Sequence, residues 1–556
     1  MALSEAARSY EVGDADYYVR SDGTATKANS TQGGQADQAM SVTTFNAVQD
    51  FVAGDIILFE NDATYTTAVK PHNQLATIGT FDNPLIIAGP SPGNPFVLST
   101  TSGNAVDFSG TTFNYMEFCN FDVSTNTASS DHIRIHGGAG ASDDGFTLKF
   151  KDYILRTNNG ASNNDGVAMA SGASGGKAQC VRGEARAFTG GSRSVIMESG
   201  DKTLKMTDCT TTSACEDWLL AQGGELILEG GHHRAFDDVI TGSGTDVTIR
   251  STDTDFTVVG TSGARLFVLT TGSKVYFKGG TITTEAGANG TGLAQASSVE
   301  ITMDNVTLNH NAASRLVTLQ NEARFTFTNS CKVVVTNCGS DLVNMENSGG
   351  HIRSYGTIWD LSGLLQTGKE MLNMNTDTTA GTLEVIGNVL LPCSVDNTEL
   401  VRIAPDATGT AKLNNNTAVS MSGASSSVFN QVALSLVTVE IYNNIFDDCV
   451  NALSGSLTGV TKDFNAYSGT TPDETDTNGT TEDVVFIDKS GEDYQLAASS
   501  PEIYIDGGLV WWSTQTPQDA SDNLYNPAYP SLGAYQDGTT TATSSSGITT
   551  GITGVG

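Results

Sequence analysis

The sequence predicts an all-β chain, a right-handed parallel β-helix, from two strand registers that keep phase and from a turn-rich composition. In the first register a pair of apolar residues separated by one recurs: Leu204/Met206, Leu226/Leu228, Val247/Ile249, Val275/Phe277, Val299/Ile301 and Phe325/Phe327. It continues at Ile352, Leu383/Val385, Ala411/Leu413 and Val439/Ile441, with steps of 21 to 31 residues between first members. Alternation of this kind marks a strand with one buried face, and a period of this length marks a solenoid. The second register falls between members of the first: Leu219-Leu220, Val239-Ile240, Leu266 to Leu269, Leu316 to Leu319, Leu342 to Met345, Met371 to Met374, Leu400 to Ile403 and Val428-Phe429. Two phased strand sets are what a coil of fixed cross-section requires, because equivalent residues must stack about 4.8 Å apart. The 60 Gly and 12 Pro supply the turns, and the 3.6-residue period of helical repeats is absent.

The predicted segments run as an N-terminal arm (1–15), a leading strand, capping helix and first coil (16–84), the β-helix (85–450), a closing segment (451–537) and a low-complexity tail (538–556). Spacing gives roughly 12 to 14 coils. Asn414 to Asn416 and Asn443-Asn444 occupy equivalent turns, where an Asn tolerates a left-handed backbone and can hydrogen-bond to its copy in the next coil.

The 62 Asp and Glu against 28 Lys and Arg give a net charge of -34, which repels phosphate backbones and anionic membranes. Nucleic-acid binding and membrane insertion are therefore not expected. The eight Cys are scattered without metal-ligand spacing and read as small buried residues of a reducing compartment. With no signal-peptide pattern at Met1 to Arg8, the chain is expected to be made and folded in a cytoplasm.

Both ends resemble a known family. Asp16 to Gly23, Ser41 to Val48 and Gly54 to Phe59 look like the start of pectin-lyase-like parallel β-helices, where a strand leads to a capping helix and then a Gly-Asp turn. Phe486 to Asp488, Gly491 to Leu496, Ser499 to Gly508 and Leu532 to Tyr535 resemble the closing segment of that superfamily, with Ser531 standing where an acid is usual. Within it, the chain is most similar to bacteriophage tailspike-like virion appendages. Fold alone does not give function. The resemblance implies either clustered carboxylates with a Lys or Arg base, as in pectate lyases, or paired carboxylates, as in tailspike hydrolases.

No such basic constellation recurs along the chain. The catalytic candidates are His232, His233, Arg234, Asp237 and Asp238, read as a corner between coils that holds a general base and a carbohydrate clamp. The glycan-binding candidates are His132, Arg134 and His136, which strand alternation puts on one face, and the Trp511-Trp512 pair, whose rings suit a sugar face. Lys149, Lys151 and Asp152 form a weaker set. The acidic run with Asp473, Glu474, Asp476, Glu482 and Asp483 lacks calcium-loop spacing, and neither a metal nor a cofactor is expected.

The reading is a virion structural appendage, tailspike- or fibre-like, that binds host surface glycans. It is expected to be a homotrimer whose other partners are virion proteins and host polysaccharide. The alternatives are a polysaccharide lyase or glycoside hydrolase on the same scaffold, or a cell-surface adhesin, and with them an extracellular or surface location.

Overall fold

The computed structural model describes residues 7–11, 13–71, 82–108, 115–125, 130–135, 148–157, 164–170, 176–186, 193–198, 200–212, 215–244, 247–260, 263–270, 272–288, 292–294, 299–347, 349–433, 435–472, 475–476, 478–501, 504 and 531–534. As the two registers predict, the chain is all-β with almost no helix, its parallel strands stacked as a β-solenoid of about 12 turns. Among the described residues no helix is long and apolar enough to cross a membrane. The chain divides into two compact units, Met1–Arg324 and Phe325–Gly556.

The first unit begins with a short strand and a short helix. Strand Tyr17–Val19 pairs in parallel with Ile56–Phe59, and helix Val42–Ala47 lies between them in sequence. Ser41 caps that helix by accepting the Thr44 N–H at 3.1 Å. Phe45 is fully buried and meets Phe59 edge-on, 5.3 Å between ring centroids. The arm is docked on its own chain: Tyr10 N–H donates to the Pro90 carbonyl at 2.6 Å, and its ring packs with Tyr18, Leu58 and Cys119.

Each following coil of this unit bends the sheet built from the first strand register at a left-handed backbone: Asn120, Asp152, Arg182, Asp208, Gly230, Asp253, Gly279 and Asn305, with Gly231 and Gly280 adding a second such residue at their corners. Gly, Asn and Asp dominate the column because other L residues strain at positive φ. At the adjacent Gly231 (φ 89°) a Cβ would lie 2.0 Å from the Cys209 carbonyl oxygen, so only glycine fits. Leu204, Leu226, Ile249, Val275 and Ile301 form one inward column. Val247 and Val299, which the spacing puts in that column, sit two residues earlier in their strands, beside Gly224 and Ser273. Both stay buried, because a two-residue offset keeps the same face.

In the second unit the inward column runs Ile352, Leu383, Ala411, Val439 and Val460, and the corners are Gly356, Gly387, Asn415, Asn443 and Phe464. Turn and ladder are separate residues here. Asn415 and Asn443 make the left-handed turns, while the next residue of each, Asn416 and Asn444, joins Asn388 and Asn465 in a buried amide ladder with Nδ2 to Oδ1 steps of 3.0, 2.9 and 2.8 Å. The closing segment contributes an antiparallel pair, Phe486–Asp488 with Asp493–Leu496. With Tyr504, Leu532 and Ala534 that pair covers Val389, Val419, Ile445 and Ala466, closing the flank of the coils.

Candidate functional site

Three of the predicted catalytic residues, His232, His233 and Arg234, lie on a strand, His232–Ala235. Alternation splits the two imidazoles. His233 points inward, is 1% exposed and stacks on Trp218 at 4.2 Å between centroids; burial pulls its pKa down to about 3. His232 and Arg234 face outward, with His232 Nε2 3.3 Å from Thr257 Oγ1 and Arg234 Nη2 3.4 Å from Glu285. Asp237 and Asp238 come after the next bend, where Arg265 holds Asp238 through two contacts of 2.7 and 2.8 Å. Strand and bend together thus send the five side chains to three places.

The glycan-binding set also divides. His132 is buried just before strand Ile133–Ile135, its ring nitrogens on the Asp165 and Arg156 carbonyls at 3.0 and 2.6 Å. Arg134 is ion-paired to Asp131 at 2.5 Å and Glu198 at 3.6 Å. His136, Trp511 and Trp512 lie outside the described residues, as do Asp473 and Glu474. Lys151 forms a buried pair with Glu117 at 3.0 Å, and Asp152 pairs with Arg182 at 2.6 Å. Asp476 accepts from Asn465 Nδ2 and the Tyr467 hydroxyl.

A different group stands out at the leading position of the sheet built from the second strand register, which includes Asp341–Met345, Lys369–Met374 and Thr398–Ile403. In the first unit, acids at or just before the strand starts each meet a guanidinium: Asp131 with Arg134, Asp165 and Asp217 with Arg193 (3.8 and 3.4 Å), and Asp238 with Arg265. Facing strands with charges of opposite sign are mutually stabilising. In the second unit the same position carries Asp341, Glu370 and Glu399 on consecutive coils, paired Asp341 to Glu370 and Glu370 to Glu399, followed by Ser427.

A polar residue three places further on and one coil later reaches back to each. Asn373 Nδ2 donates to Asp341 Oδ1 at 3.2 Å, Arg402 Nη1 meets Glu370 Oε1 at 3.2 Å, Asn430 Nδ2 donates to Glu399 Oε1, and Ser454 Oγ donates to Ser427 Oγ at 2.9 Å. Glu370 and Glu399 share the single guanidinium of Arg402, which is 3.9 Å from Glu399. Burial, followed by the hydrogen bond and charge of Asp341, pushes the Glu370 pKa up to about 9, and burial also raises that of Glu399. Burial and the neighbouring Asp341 thus favour the protonated form of Glu370, which lies beside a second carboxyl on the next coil. Among the described residues no group of three His, Cys, Asp or Glu has the geometry to hold a metal ion.

The signal for this ladder was in the sequence. Each apolar strand of the second register, Leu342 to Met345, Met371 to Met374 and Leu400 to Ile403, is preceded by an acid and carries Asn or Arg as its third residue. Reading the strands for their apolar residues alone passes over the position before them. No protein-family model matches the chain, and no curated protein matches it.

Proposed function

We propose that the chain is a tailspike- or fibre-like virion appendage that binds host surface glycans, with the ladder of Asp341, Glu370, Glu399, Asn373 and Arg402 as its sugar site. One observation carries the sugar site: three acids, Asp341, Glu370 and Glu399, stack on consecutive coils, with Asn373 and Arg402 reaching back to them. Carboxyl, amide and guanidinium groups in a row are the side chains that hydrogen-bond sugar hydroxyls. The appendage reading is supported by the solenoid and by the resemblance of its two ends to pectin-lyase-like spikes.

Labelled full-length protein incubated with immobilised bacterial surface polysaccharides tests it. Retention by at least one polysaccharide, reduced in Glu399→Gln, is expected; uniform failure to bind removes the reading. A second reading, glycoside hydrolysis, is favoured by the pairing of Glu370 with Glu399 on the next coil, since two neighbouring carboxyls are the parts that reaction needs. Release of reducing ends from a bound polysaccharide, abolished in Glu370→Gln, would decide for it.

A further inference from the structure

We propose that the N-terminal arm, residues 7–11, is a reversible strap: it swings away at the turn around Gly13 while the coils stay folded, and so uncovers an apolar strip on the outer face of the first coils.

The strip comes from strand register. Tyr18 pairs with Leu58, Leu58 with Ala88, Ala88 with Cys119 and Cys119 with Lys151, so these residues stand in one column. Their neighbours Ile57, Ile87, Phe118 and Phe150 point into the coils and are buried, so alternation turns the column outward. Past Lys151 and Val181 the same column is half-buried at Thr207 and Glu229 and exposed at Thr252. Tyr18, Leu58, Ala88 and Cys119, by contrast, are at most 2% exposed. The arm lies over them: the Tyr10 ring packs with Tyr18, Leu58, Ile86, Ala88 and Cys119.

The attachment is slight. Of residues 7–11 only Tyr10 is buried. The Tyr10 N–H donates to the Pro90 carbonyl at 2.6 Å, and Asn120 Nδ2 donates to the Arg8 carbonyl at 2.9 Å. The Tyr10 hydroxyl and Asn120 Oδ1 are buried at this contact without a hydrogen-bond partner of ordinary geometry. Docking therefore takes the hydroxyl out of water and gives it nothing in return, which works against closure. One ring and two hydrogen bonds are few beside the ladders that hold each coil, so the arm opens before the coils do.

The hinge is present as well. Asp14 N–H donates to the Glu11 carbonyl at 3.0 Å, Glu11 N–H to Asp14 Oδ2 at 2.8 Å, and Gly13 N–H to the Tyr18 hydroxyl at 2.6 Å. Gly13 stands at φ 114°, a conformation that glycine adopts without strain, and a Cβ there would meet nothing within 4 Å. The chain has room to turn at this point.

Thiol labelling tests the strap. Full-length protein is treated with N-ethylmaleimide at neutral pH, and modification is read at each cysteine by peptide mass. Cys119 lies under the arm, whereas Cys180, paired with Phe150 in the inward column, is reached only when the coils unfold. Modification of Cys119 about tenfold or more faster than Cys180 is expected, with a further rise of about tenfold in Tyr10→Ala. Tyr10→Phe keeps the ring and removes the unpaired hydroxyl, so it should slow the labelling of Cys119. Equal rates at Cys119 and Cys180 in the wild type would overturn the strap, since the arm would then open only with the coils. A Cys119 rate that Tyr10→Ala leaves unchanged would overturn it too. If Tyr10→Ala fails to unfold cooperatively, the wild-type ratio and Tyr10→Phe decide.

Discussion

Asn416 and Asn444 hold two coils together through one oxygen: Asn444 Oδ1 accepts both the Asn416 backbone N–H and Asn416 Nδ2, each at 2.9 Å. Asn416 repeats the arrangement toward Asn388, at 2.9 and 3.0 Å. Asn416→Ala strands the buried Asn388 N–H and removes one of the two acceptors of Asn388 Nδ2, which keeps the Ser354 carbonyl, so a loss of about 1–3 kcal/mol is expected from the usual cost of an unpaired buried group. Denaturant unfolding checks it, and a loss below about 0.5 kcal/mol, the range of neutral surface substitutions, would contradict the ladder's role.

Glu370→Gln should stabilise the chain increasingly with pH. Folded Glu370 holds its proton to about 9, whereas an unfolded glutamate releases it above its ordinary 4.5. The wild type therefore loses stability as pH rises between those values, and the glutamine variant does not. Urea midpoints at pH 4.5, 7 and 9 should show a gap that widens in the variant's favour; a constant gap would mean that Glu370 is ionised in the folded chain.

Acid should unfold the protein through its buried imidazoles. Burial lowers the pKa of His233 to about 3 and that of His310 to about 4, while unfolded histidines protonate near 6.5. Stability is thus full above 6.5 and is lost as pH falls toward the folded values, by about 2 kcal/mol per imidazole at pH 5. His233 Nε2 has no partner, so His233→Phe keeps the stack on Trp218 while removing the titration. Its thermal midpoint should fall less steeply than the wild type's below pH 6.5.

Assembly follows from the strand edges. Among the described residues, strand Asn451–Gly455 ends its sheet, with no neighbouring strand on one side, and bare edges invite association. Three associated copies would also multiply a weak sugar contact. Mass photometry should show a species at three times the 58.0 kDa chain mass; a stable monomer at micromolar concentration would remove weight from the appendage reading.

The architecture was legible because it repeats: a face-preserving offset at Val247 and Val299 left the inward pattern intact. The site was harder to read. His232 and His233 are adjacent in sequence, but a strand sends neighbours to opposite faces, so proximity along the chain misled. Asp341, Glu370 and Glu399 are about 29 residues apart and meet only because the coils stack them. Asn415 and Asn416 show the same limit on a smaller scale, since nothing in an Asn run says which residue turns and which one bonds.

Hydrogen–deuterium exchange on the full-length chain, with and without an oligosaccharide cut from a polysaccharide that retains the protein, tests the central claim most directly. The account predicts added protection confined to the strands Asp341–Met345, Lys369–Met374 and Thr398–Ile403, which carry the ladder. Protection at His232–Ala235 or Ile133–Ile135 instead, with those three strands unchanged, would contradict it.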